Sequence, residues 1–229
     1  MTFSVIDIET LGTNSGTTNL IAMPSVAVAV FPDNDYPKVI MATLNVEEQF
    51  NRGAVATAST IAFWMKEAYK NTLPSDEIIS ILSGDITPEV TVYGKESDSI
   101  PTVKVANNTQ VLRDIQQWYS ANTGKYDMSY GNGNEFDHKI LEAHYHDLGF
   151  EKPLCDFWQQ GNLRSLRALY TSRYGADSYK TDIQKVAVDL TIEYFKMFGL
   201  GKARTATKHD PVYDALVEGF EIRLISQLV

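Results

Sequence analysis

Cysteine is nearly absent: Cys155 is the only one among 229 residues. No internal disulfide can form, which excludes a disulfide-stapled scaffold and fits a reducing, cytoplasmic setting. Long apolar runs are also missing. The longest near the N-terminus, Val26 to Phe31, is too short to span a bilayer, so no membrane role is expected. No basic segment followed by an apolar one opens the chain, and no signal peptide is read. Positive charge is in deficit, with 20 Lys and Arg against 29 Asp and Glu and a net charge of −9. That balance excludes a sequence-independent duplex binder with a basic face. It leaves room for a protein that grips a few nucleotides at one strand end. Internal repeats, low-complexity tracts and linkers are lacking, while 44% of the residues are hydrophobic. The chain reads as one globular domain spanning 1–229.

Periodicity orders the elements. Phe3 to Ile8 is short, apolar and β-branched, as a buried strand is. Ser25 to Phe31 and Val39 to Val46 read as two further strands, joined through the turn residues Pro32 to Pro37 into an antiparallel meander. Ser59 to Tyr69 reads as a helix with Ile61, Met65 and Trp64 inward. Ser75 to Leu82 reads as a short helix capped by Ser75. The polar stretch 85–105 fits an inserted loop or hairpin. A helix over Gln110 to Ser120, a strand over Asp127 to Tyr130 and a helix over Asp137 to Leu148 follow, then helical patterns at Ser165–Tyr174 and Asp182–Phe198. The last helix opens with Asp210 as cap and Pro211 in its first turn and runs almost to Val229. The alternation of strands and helices predicts an α/β fold.

Acidic residues then stand out by position. Asp7 and Glu9 lie two apart on the first strand, so both point to one face. Asp7 interrupts an apolar strand, where an unpartnered charge is costly. Asp137 follows the turn Gly131-Asn132-Gly133 at the mouth of a helix. His209 precedes Asp214 by five residues, with Asp214 one turn into the last helix. Taken singly, each has a plainer explanation: a strand-end acid pair, a helix-capping acid, a surface histidine. Together they supply hard oxygen ligands for two divalent cations roughly 3.5–4 Å apart, and a histidine able to take a proton near neutral pH. Basic residues gather from Arg164 to Lys185 (Arg164, Arg167, Arg173, Lys180, Lys185) and in Lys202, Arg204 and Lys208. They form either a solvated face or a phosphate track. His144 and His146, two apart on a helix, make a poor metal pair. Glu135 is read as pointing outward, and Trp158 as core or structural rather than catalytic.

An acid pair on the first strand, Phe136-Asp137 in mid-chain and His209-x-x-x-x-Asp214-Ala215 on the last helix occur in an order that resembles the DnaQ-like 3′–5′ exonucleases of the RNase H-like fold. With His209 five residues before the last acid, and Asp rather than Tyr at position 210, the pattern is similar to the histidine branch (DEDDh). Ser59 to Trp64, Phe136 to Leu141 and Cys155 to Gln160 further resemble segments of bacteriophage DexA-type exonucleases.

The resemblance implies a mixed central sheet flanked by helices and a metal-dependent enzyme releasing nucleoside 5′-monophosphates from the 3′ end of single-stranded DNA, RNA or both. It implies that Asp7, Glu9, Asp137 and Asp214 bind two Mg²⁺ or Mn²⁺ ions and that His209 is the general base. Thr10 and Leu11 would lie beside the terminal nucleotide, and Phe63, Trp64 and Phe136 are candidates to stack on bases. Related exonucleases form homodimers, and a phage-encoded member would work in the host cytoplasm. The competing expectation is a catalytically silent DnaQ-like module that binds nucleic acid or protein.

Overall fold

A computed structural model describes residues 2–13, 20–70, 87–94, 102–133, 135–200 and 208–228. Its strands are β1 (Phe3–Glu9), β2 (Ser25–Phe31), β3 (Lys38–Thr43), β4 (Glu89–Tyr93), β5 (Thr102–Lys104), β6 (Met128–Gly131) and β7 (Gln160–Asn162). Its helices are α1 (Val46–Asn51), α2 (Ala58–Tyr69), α3 (Asn108–Asn122), α4 (Asp137–Asp147), α5 (Leu163–Tyr174), α6 (Lys185–Met197) and α7 (Pro211–Ser226). A π-helical stretch, Tyr179–Gln184, leads into α6. The strands form one mixed sheet in the order β5-β4-β3-β2-β1-β6-β7. This is the expected α/β arrangement, a mixed sheet flanked by helices.

The expected meander is present: β1 pairs antiparallel with β2, and β2 with β3. On its other side β1 pairs parallel with β6, with Val5 opposite Tyr130 as the last partners. β1 alternates, as a strand with both faces covered must. Ile6 and Ile8 join a core with Val111, Ile115 and Tyr119 of α3 and Ile140, Leu141 and Tyr145 of α4. Phe3 and Val5 join the opposite core with Leu163 of α5, Tyr194 and Phe195 of α6, and Val212, Ala215, Leu216 and Phe220 of α7. Asp7 and Glu9 share the parity of Phe3 and Val5, and so lie on the α7 side of the sheet.

α7 comes close to β2 at Gly219, where an added Cβ would overlap the Phe31 ring. Phe31 is itself stacked on Phe3 and edge-on to Phe220. This close approach lays the first turns of α7 against the end of β1.

Several elements differ from the sequence reading. β3 stops at Thr43 and Val46 opens α1, because Asn45 caps that helix by accepting from the Glu48 N–H at 2.8 Å. On α2 the buried residues are Trp64 and Glu67, while Met65 is 60% exposed. The larger indole, whose N–H donates to the Thr10 carbonyl at 2.9 Å, takes the inward position. Trp158, read as core or structural, is 53% exposed, so it is not a core residue. β7, only Gln-Gly-Asn, carries no apolar alternation and was not expected. Within 85–105, β4 and β5 pair antiparallel and carry the sheet beyond β3. The helix read over 75–82 lies outside the described residues. Among those described, no helix is long and apolar enough to cross a membrane.

Two histidines of α4 are built into the core. His144 is fully buried and its Nε2 donates to the Ile21 carbonyl at 2.7 Å; His138 Nε2 lies 3.0 Å from the Ser129 hydroxyl. Burial pushes both down to about 4. Between pH 6.5 and 4 the unfolded chain binds a proton at each histidine and the folded chain does not. Stability from these groups is therefore complete above pH 6.5 and is lost as pH falls toward 4, by about 3 kcal/mol each. Buried acids with raised pKa values work in the opposite direction over that range, so a difference isolates the histidine. His144→Gln retains a donor without a titratable proton, and its pH-dependence of unfolding free energy should be shifted from wild type's by that amount between pH 6.5 and 4, and parallel above pH 7. Denaturant melts across this range check the outcome.

Candidate active site

The end of β1 is where acids collect. Asp7 turns toward α7, and its Oδ2 is buried with no hydrogen-bond partner. β1 and β6 part company after Val5 and Tyr130, and the turn leaving β6 returns an acid into the gap. Asp137, in the first turn of α4, accepts from the Gly133 N–H at 3.4 Å and from the Ile8 backbone N–H. A helix N-terminus suits a carboxylate there. Gly131 makes room for it, since a Cβ at that position would stand 2.8 Å from Asp137 Oδ2 and 3.1 Å from its Cβ.

α7 supplies the remaining groups. Asp210 caps it, accepting from the Val212 and Tyr213 N–H groups at 2.9 and 3.1 Å. His209, just before, has φ = +70°, a left-handed conformation that costs a non-glycine residue on the order of 1 kcal/mol or more. In return its backbone N–H donates to Asp214 Oδ2 at 2.8 Å. Its ring sits edge-on against Phe63 at 5.1 Å and Trp64 at 6.0 Å. One ligating atom each from Glu9, His209 and Asp214 falls within 4.8 Å of the others.

The electrostatics follow from this crowding. Burial, then the charges of Glu9, Glu218, Asp214 and Asp137, hold the Asp7 carboxyl well above its ordinary range. Burial likewise raises Asp137 and Asp214 to about 6. His209 is pushed down, first by burial and then by Lys208, which leaves its imidazole neutral at neutral pH. Charged carboxylates this close, with a buried orphan oxygen among them, cost several kcal/mol unless protons or cations compensate. The donor set, hard oxygens with one imidazole, fits divalent cations.

The other residues singled out in the sequence divide. Phe63 is 38% exposed beside His209 and offers an accessible ring face. Trp64 is 2% exposed and hydrogen-bonded to Thr10, so it braces the backbone after Glu9 rather than presenting a ring to a base. The Thr10 hydroxyl donates to the Gly12 carbonyl at 2.7 Å, and Leu11 packs with Ala22, Val46 and Trp64, so both side chains are buried. At Thr10 what is left to turn toward a nucleotide is backbone, whereas the Leu11 N–H and carbonyl are already bonded to Ala22 and Thr57 at 2.8 Å each. Phe136 is partly buried against the α3–α4 core. Glu135 is exposed.

Sequence reasoning missed Glu218, one turn beyond Asp214, which is buried and adds its charge to the cluster. Its i+4 spacing from Asp214 is the signal that could have found it. Arg167, read as part of a basic face, is instead internal. Its guanidinium donates to Glu221 at 2.7 Å and to the Asn132 side chain at 2.7 Å, tying α5 to α7 and to the turn that leads to Asp137. Lys180 and Lys185 pair with Asp177 and Asp189, while Lys202 and Arg204 lie outside the described residues. Two surface hollows, of about 430 and 620 Å³, are lined by none of these site acids.

Comparison with known families settles the affiliation. The model of the Rv2179c-like 3′–5′ exoribonuclease domain matches residues 2–217. The chain belongs to this family. No curated protein matches it. As a member, the Rv2179c-like domain described here is a 3′–5′ exonuclease acting on nucleic acid, and the matched span takes in Asp7, Glu9, Asp137, His209 and Asp214 alike.

Gly131→Ala should cut turnover of this Rv2179c-like domain by about 10²-fold, the effect of displacing a catalytic group by roughly 1 Å. Its circular dichroism spectrum should stay that of wild type. A cleavage assay beside that spectrum checks both halves.

Proposed function

We propose that the chain is a two-metal 3′–5′ exonuclease of the histidine type, trimming single-stranded 3′ ends to nucleoside 5′-monophosphates, with RNA as its substrate. The observation that carries the reading is the convergence of Glu9, His209 and Asp214 within 4.8 Å, beside half-buried Asp7, whose Oδ2 is enclosed without a hydrogen-bond partner. The family description, an exoribonuclease domain, favours RNA over DNA.

Asp7, Glu9, Asp137 and Asp214 would hold the cations, Mg²⁺ or Mn²⁺. Two divalent ions, when bound, supply charge stabilisation for the attacking and leaving oxygens of the phosphodiester. The protein's own groups do the rest. His209, neutral because burial lowers its pKa, accepts the proton of the attacking water. The contact between its backbone N–H and Asp214 keeps base and acid in register, and the Phe63 and Trp64 rings limit where the imidazole can turn. Phe63 is placed to stack on a terminal base. Thr10, fixed by Trp64, offers backbone to the same nucleotide. Phe136, packed into the core, supports the turn that carries Asp137.

The test uses matched 3′-labelled single-stranded RNA and DNA with Mg²⁺ or Mn²⁺. Wild type should release mononucleotides from RNA, and Asp7→Asn should release none while keeping its fold. His209→Ala should lose about 10²–10⁴-fold in kcat, the usual contribution of a general base, with a much smaller change in substrate binding. Equal losses in rate and binding would make His209 a contact rather than a base. A wild-type protein that binds the strands and releases nothing would mark the chain as a silent nucleic-acid-binding module.

A further inference from the structure

Glu218 stands out among the groups that this mechanism does not use. It is 5% exposed, and its Oε2 is buried with no hydrogen-bond partner. Four residues after Asp214 on α7, it shares the helix face that looks toward β1. Its only nearby cation among the described residues is Arg167, 3.9 Å from the other oxygen, Oε1. That guanidinium is already committed to Glu221 and Asn132. One positive charge therefore faces two buried carboxylates, and Glu221 has the short contact. Arg167 offsets the Glu218 charge only in part, and burial together with the surrounding acids Asp137, Asp214 and Asp7 holds its carboxyl well above the ordinary range. A fully buried, unpartnered carboxylate oxygen among other acids is costly, and a bound cation would relieve that cost.

Resting on the two-metal reading above, we propose that Glu218 is a fifth carboxylate of the cation site, accepting hydrogen bonds through Oε2 from the cation's water ligands. Glu218, like Asp7 and Asp137, stands outside the tight trio of Glu9, His209 and Asp214; what sets Glu218 apart is Arg167, 3.9 Å from its Oε1, a cation of the protein that already engages part of the carboxylate. Mg²⁺ keeps several of its waters when bound by carboxylates, and those waters need acceptors. Carboxylates behind the ligands orient them and raise affinity. Arg167 engages one oxygen of Glu218 and leaves the buried Oε2 without a protein partner. Glu218 is thus a positioning residue.

The experiment is Mn²⁺ binding to the full chain by isothermal titration calorimetry, without nucleic acid, for wild type, Asp214→Asn and Glu218→Gln. Glu218→Gln keeps the side chain's shape and removes its charge. It should weaken Mn²⁺ about 10–100-fold, as loss of an outer-shell carboxylate does, and should melt no lower than wild type when no metal is present. Glu218→Asp, one methylene shorter, is the second variant should the glutamine form not fold, and it should weaken Mn²⁺ about 10-fold, at the low end of the same range. Wild-type Mn²⁺ affinity in a folded Glu218 variant, beside a clear loss in Asp214→Asn, would overturn the role of Glu218 and leave the two-metal reading standing. A wild-type chain that takes up no Mn²⁺ would overturn both.

Discussion

Carboxylates forced together in an apolar setting at the end of β1 are the constraint around which this structure is arranged. Asp7 is enclosed with an unpartnered oxygen, and the charges of Glu9, Glu218, Asp214 and Asp137 all press on it. A fold selected for stability alone would not gather them, since each charge loses solvation among other acids, and the cation beside Glu218, Arg167 at 3.9 Å, is shared with Glu221. The raised pKa values of Asp7, Asp137, Asp214 and Glu218 express that cost in a second way: these groups hold protons more tightly than ordinary acids do, and a divalent cation, if bound, would relieve the same crowding.

The scaffold makes this tolerable by fixing each acid from outside the cluster. Asp137 takes backbone N–H groups from Gly133 and Ile8. Asp214 takes the N–H of His209, at the expense of a left-handed backbone at that residue. Trp64 anchors the carbonyl of Thr10 directly after Glu9. Gly131 and Gly219 act by what they omit: one leaves room for the Asp137 carboxylate, the other lets α7 settle against Phe31. Arg167 then joins α5, α7 and the β6–α4 turn through side-chain contacts.

Much of the fold was legible in the sequence because the local signals agreed. β1 to β3 showed short β-branched runs with turn residues between them, and α7 showed a capping Asp210 followed by Pro211. The less legible elements lack such signals. β7 is three polar residues whose strand conformation comes from pairing with β6. The inward face of α2 depended on whether Trp64 or Met65 reached a partner, and the deciding carbonyl, Thr10, lies 54 residues away. Trp158 was read as core or structural on composition, but its 3₁₀ turn presents it to solvent. Arg167 looked like part of a basic face for the same reason: composition gives charge but no direction.

The sequence by itself determined the parity that sets Asp7 and Glu9 on one face of β1, the cap that starts α7 one turn before Asp214, and the spacing of His209 from that acid. These are short-range consequences of strand and helix geometry, where a side chain's direction follows from its position in the repeat. Tertiary structure alone decided which residues met. It brought Glu218 into the cluster, buried the Trp64 ring and the Leu11 side chain, and turned Arg167 inward between Glu221 and Asn132. Those outcomes depend on how α7 approaches the sheet at Gly219 and on where β1 and β6 diverge. Such long-range contacts are set by the packing of whole faces, which no local window of sequence contains.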